Sequence, residues 1–112
     1  MVGGDQMNDS VQNVGEFAVV QYNNQNPEEI RIVFCVVLAF KRKNEGIVSK
    51  YKIILSFHQD GTPPQKKQAA IALVDVTTVD EHFEPVLRNF SIIPANGFVP
   101  GLQTTPCFIN KV

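Results

Sequence analysis

The sequence predicts an α+β domain: one N-terminal helix packed on a bent, antiparallel sheet of four to five strands. Three observations predict it. Apolar residues recur at steps of three and four only once, early in the chain, at Val11, Val14, Ala18 and Tyr22. Everything after Ile30 is instead built of β-branched and aromatic runs separated by Gly, Asn, Asp and Pro turn signals. And 112 residues are enough for one domain with one modest core. The expected layout is a mobile trunk (1–9), the domain proper (10–94) and a C-terminal extension (95–112).

The helix is expected from about Ser10 to Asn24, with Asp9 as N-cap and Gln12 completing a capping-box variant. Gly15 weakens it by up to about 1 kcal/mol relative to Ala unless packing requires its bare backbone. Asn23-Asn24-Gln25-Asn26-Pro27 ends it. Asn26-Pro27-Glu28-Glu29 has the form of a second helix start. The following Ile30 to Phe40 has no polar face at helical period, so it is assigned to a strand. Run to Lys43, that strand would measure about 46 Å, too long for the domain, and must bend or carry a bulge. Its bulky even positions, Ile30 to Phe40, are expected to face the helix.

Asn44-Glu45-Gly46 makes the first hairpin turn. Tyr51, Ile53, Leu55 and Phe57 then alternate with Lys50, Lys52, Ser56 and His58, giving a strand with one wet face. Asp60 to Pro64 is a loop, Ala69 to Val76 a third strand, Thr77 to Pro85 a connection, and Leu87 to Ile93 a fourth strand. The tail from Ala95 still carries Phe98, Leu102, Phe108 and Ile109. It is expected to pack over the outer sheet face, or else apolar faces associate between chains, giving a monomer or weak dimer.

Ten basic against eleven acidic residues give a net charge of -1, which argues against a nucleic-acid or anionic-membrane partner. No apolar run is long enough for a transmembrane helix. The start lacks an apolar signal core, which leaves a cytosolic chain or one whose leader has been removed. No glycine loop, metal cluster, paired carboxylate or activated nucleophile appears, so neither an enzyme nor a cofactor is expected. Asp80-Glu81-His82 reads as a solvated loop rather than a metal site, since consecutive extended residues point apart. Cys35 reads as a buried small hydrophobe; pairing with Cys107 is the alternative, which the spacing does not support. Asn8-Asp9-Ser10 and Asn89-Phe90-Ser91 match the glycosylation sequon, a short pattern frequent by chance.

Val14-Gly15-Glu16-Phe17-Ala18-Val19-Val20-Gln21-Tyr22-Asn23 resembles the helix signature of plant cystatins, Leu-Ala-Arg-Phe-Ala-Val-x-Glu-His-Asn, with conservative alternatives. The helix-then-four-strands order is similar to that family as far as Pro94. The resemblance implies a reversible inhibitor of papain-like cysteine proteases, whose active-site cleft is occluded by a trunk glycine and two hairpins. Carried over, the trunk falls on Gly3 and Gly4, and the first hairpin on Asn44, Glu45, Gly46, Ile47 and Val48. The second falls on Thr77, Thr78 and Val79. The family's Gln-x-Val-x-Gly and Pro-Trp are absent here, and the chain has no Trp, so weakened inhibition is expected.

The region around Asn44-Glu45-Gly46 and the ending Asn89 to Pro94 also look like monellin, a sweet-tasting plant protein on the same scaffold. The rival expectation is therefore a binding protein on that scaffold without cysteine-protease inhibition: taste-active, aspartic-protease-inhibiting, defensive or a storage protein. Its candidate surface is the basic hairpin, Lys41, Arg42, Lys43, Lys50 and Lys52, read either as a solvated strand end or as a dock for an acidic partner.

Overall fold

The computed structural model describes residues 3–63 and 66–108, with side chains from Ser10 onward. One helix, α1 (Gly3–Gln25), is followed by strands β1 (Ile32–Glu45), β2 (Val48–Gln59), β3 (Gln68–Val79) and β4 (His82–Ile92). The strands form one antiparallel sheet in the order β1-β2-β3-β4, with α1 across one face. The α+β class therefore stands, with four strands.

The helix starts at Gly3 rather than near Ser10, so residues 3–9, expected as a mobile trunk, have helical backbone. Nothing between Gly4 and Ser10 stops a helix, and each added residue contributes one hydrogen bond. Asp9 and Gln12 consequently lie inside α1 and form no capping box. Gln12 has a different task. Its buried carboxamide accepts from the Val37 N–H (2.8 Å) and donates to the Val37 carbonyl (3.4 Å). Asn23 does the same for Ile32, at 3.0 and 2.9 Å. Because β1 is an edge strand, these backbone groups lack a strand partner on that side, and the two amides replace one.

Gly15 meets the condition set for it. A Cβ there would lie 2.5 Å from Val37 Cγ2 and 2.7 Å from Phe34 Cε1, so helix and strand approach closely only because it is glycine. Opposite them, β2 supplies Ile53, Leu55 and Phe57 to the core, and β3 the smaller Ala70, Ala72 and Val74.

The first strand does carry its irregularities. Register shifts fall between Phe34 and Val36 and again between Val37 and Ala39. Each adds one residue to β1, so the inward set is Ile32, Phe34, Val37 and Phe40, opposite Gln59, Phe57, Leu55 and Ile53. The expected even-numbered face is corrected accordingly: Val36 leaves it, Val37 joins it, and Ile30 precedes the strand and is exposed.

The expected Thr77–Pro85 connection is also corrected. β3 and β4 are joined by Asp80-Glu81 alone, with Val79 paired to His82. Both turn residues have positive φ, 50° and 67°, the sign pattern of a tight primed turn, made here without glycine. Pro85 lies within β4, which an edge strand tolerates.

The tail leaves β4 at one edge of the sheet and returns to β1 at the other. Cys107 is disulfide-bonded to Cys35, and Phe108 N–H donates to the Cys35 carbonyl at 2.8 Å. Lys67 Nζ donates to the Thr105 carbonyl. The reading of Cys35 as a simple buried hydrophobe is corrected; chain spacing says nothing about partners that a sheet brings together. Val36, Ser56 and Ala69, which face away from α1, are buried at this end of the sheet. Phe98 takes no part and is 89% exposed; Ile109 lies outside the described residues.

Candidate functional site

Two surfaces gather the residues that the sequence singled out. The first is the end of the sheet that carries both hairpin turns. The expected Asn44-Glu45-Gly46 turn is corrected: Asn44 pairs with Ser49 and Glu45 with Val48, because the ladder runs on to the glycine, so the turn residues are Gly46 and Ile47. Gly46 has φ of 64°, which an L side chain disfavours, and Ile47 is pushed into solvent. Val48 pairs with Thr77, and Thr78 N–H donates to the Ile47 carbonyl at 2.8 Å. That bond ties one hairpin tip to the stem of the other. Asn44, Glu45, Gly46, Ile47 and Val48 thus form one continuous rim with Thr77, Thr78 and Val79.

The rim is apolar at its tips. Ile47, Val79 and Phe83 are all exposed, Phe83 to 72%. Sequence reasoning missed Phe83 because it was placed in a loop. The available signal was an aromatic side chain set among Asp80, Glu81, His82 and Glu84, where no core would claim it.

Beneath this rim, between α1 and the sheet, lies a cavity of about 480 Å³ lined by Val14, Phe17, Tyr51, Phe83, Thr78 and Arg42 among others. Ser10 and Asn13 reach the same cavity, so α1 presents its N-terminal half at the hairpin end. Gly3 and Gly4 fall in the first turn of α1, as helix and not as an extended segment.

The second surface is the outer face of β1 and β2. Register places Lys41 directly opposite Lys52 and Lys43 opposite Lys50. Arg42, between them in sequence, pairs with Tyr51 and faces the other way, into the cavity. The five-residue basic cluster read from sequence is therefore four lysines on one face and one arginine on the other. Like charges directly opposite one another on a sheet are destabilising. Glu45 relieves one of the two pairs, contacting Lys43 and Lys50 at 3.2 Å each. Its hydrogen bond from Lys50, then that from Lys43, holds its carboxyl below the ordinary value of 4.5. Arg88 is paired with Asp75 at 3.0 Å beside them. Among the described residues Lys41 and Lys52 show no such relief.

No group of three or more potential metal ligands occurs among the described residues, and no described helix is long and apolar enough to cross a membrane. No family model, curated protein or solved structure matches this chain.

Proposed function

We propose that the chain is a cystatin-like inhibitor of papain-family cysteine proteases, acting by reversible occlusion of the active-site cleft. The observation that carries this reading is the Thr78 N–H to Ile47 carbonyl bond, which aligns two tight hairpins as one apolar rim. A narrow rim held by backbone bonds fits a cleft with little ordering cost on binding. Phe83 takes the place of the missing tryptophan as aromatic anchor, a residue type favoured at the centre of interfaces. The trunk contributes by unwinding the start of α1, where Gly3 and Gly4 make helix cheapest to lose.

The test is a papain titration with the full chain, a variant lacking residues 1–5, and Phe83→Ala. Weak, competitive inhibition is expected, reduced about thirtyfold by Phe83→Ala, equivalent to about 2 kcal/mol. Full papain activity at high concentrations of the full chain overturns the reading.

A second reading rests on the lysine register. Four lysines on one sheet face, two of them unrelieved, form a dock for an acidic protein partner on the same scaffold, without protease inhibition. It predicts a partner whose affinity falls with salt and with neutralisation of Lys41, Lys43 and Lys52. Arg42, on the opposite face, should not matter.

A further inference from the structure

We propose that Asn89 is an N-glycosylation site and that the chain folds in an oxidising secretory compartment. The sequon Asn89-Phe90-Ser91 is common enough by chance to carry little weight alone. Its placement in β4 adds the weight. Side chains alternate across a strand, and the alternation here is fixed by the middle residue. Phe90 points inward, its ring centroid 4.6 Å from that of Tyr22 and 6.4 Å from that of Phe57. Asn89 and Ser91 must then share the outward face. Both are exposed, and Asn89 Nδ2 donates to Ser91 Oγ at 3.1 Å, so the amide and the hydroxyl required of the motif stand side by side.

A second observation comes from the opposite edge of the sheet. The Cys35–Cys107 disulfide is of the kind that persists in oxidising compartments and is rare in the cytosol. Glycosylation of sequons belongs to the same route.

The covalent step needs a lipid-pyrophosphate-linked oligosaccharide as donor. The Asn89 amide nitrogen forms a bond to the anomeric carbon, and the bond from that carbon to the pyrophosphate oxygen breaks. The lipid pyrophosphate leaves with the electron pair, and one amide proton passes to a base.

The modification is compatible with the fold and has a physical use in it. β4 is an edge strand whose first half is guarded by Pro85 and by the irregularity at Arg88, whereas Asn89 to Ile92 carries neither proline nor bulge, the kind of edge that pairs with other chains. A glycan at Asn89 blocks that approach. It also stands well away from the hairpin rim: Asn89 lies seven positions beyond His82, opposite six positions of β3, or about 20 Å along the sheet. The inference is thus independent of the protease reading.

The experiment expresses the full chain through the secretory pathway of a eukaryotic cell and treats it with a glycosidase specific for Asn-linked glycans. Asn8 carries the other sequon, so the decisive protein is the Asn8→Gln variant. It should still lose one glycan's mass on treatment, with the conversion of Asn89 to Asp located by peptide mass spectrometry. Adding Asn89→Gln or Ser91→Ala should abolish the shift, and Ser91→Thr should retain it. An Asn8→Gln protein that is secreted yet unchanged by the glycosidase overturns the proposal.

Discussion

The side chain of Gln12 in α1 holds both backbone groups of Val37 at the open edge of β1, accepting from its N–H at 2.8 Å and donating to its carbonyl at 3.4 Å. Replacing Gln12 by Ala leaves two polar groups of a buried segment unpartnered. The expected loss is about 2–3 kcal/mol, read from urea unfolding. A change within experimental error would mean that water satisfies Val37 equally well.

Gly15→Ala tests how closely α1 lies on β1. Intrinsic helix propensity favours Ala by about 1 kcal/mol. The Cβ would nevertheless stand 2.5 Å from Val37 Cγ2, and overpacking of this kind costs about 1–3 kcal/mol. Net destabilisation is the expected outcome in a thermal melt. Stabilisation would place the helix further from the strand.

The disulfide closes a sequence separation of 72 residues, for which chain entropy gives about 4 kcal/mol of stabilisation. Cys107→Ser should lower the unfolding midpoint strongly and leave the tail held to β1 by the Phe108 N–H to Cys35 carbonyl bond alone. Deleting residues 98–112 should do the same and raise aggregation, measured by light scattering. If the deletion melts like the intact chain, the tail contributes nothing to the outer face.

Lys41 and Lys52 are directly opposed on the outer face. Lys52→Glu converts repulsion into attraction and should stabilise the chain by about 0.2–1 kcal/mol at low salt, shrinking as salt is added. Under the acidic-partner reading the same variant loses binding while gaining stability. Stability that falls at low salt would contradict the cross-strand register.

Glu45, held below the ordinary carboxylate value of 4.5 by Lys50 and then Lys43, ties the first hairpin together. A carboxylate depressed on folding adds stability that is present above its unfolded value and is lost as pH falls through its folded value. The pairing of Glu45 should therefore weaken only below about pH 4.5. An NMR titration of the Gly46 amide should follow that transition, and Glu45→Gln should remove it. A transition centred above 4.5 would contradict the pairing.

The elements that were legible in the sequence are those whose cause is local. Val11 and Ala18 recur at helical spacing because a helix buries one stripe, and both are buried. Tyr51, Ile53, Leu55 and Phe57 alternate because β2 has one inner face, and all four reach the core. The excess length of the first strand even implied its bulges. Of the candidate site, the first turn was legible near Asn44-Glu45-Gly46 because glycine marks a positive φ, although pairing carries Asn44 and Glu45 into β1 and leaves Gly46 and Ile47 as the turn. The second turn was not, because Asp80 and Glu81 adopt that conformation without a glycine to announce it.

What the sequence by itself determined is the order of helix and strands and the residues that each must bury, because those follow from side-chain period and turn chemistry. The tertiary structure alone decided which distant residues meet. Bulges turned Val37 inward, where Gln12 holds it. Strand register split Arg42 from the lysines around it. The width of the sheet brought Cys107 back to Cys35 across 72 positions of chain. No local pattern encodes these meetings, since each depends on how several elements pack at once, and they define the surfaces from which function is argued.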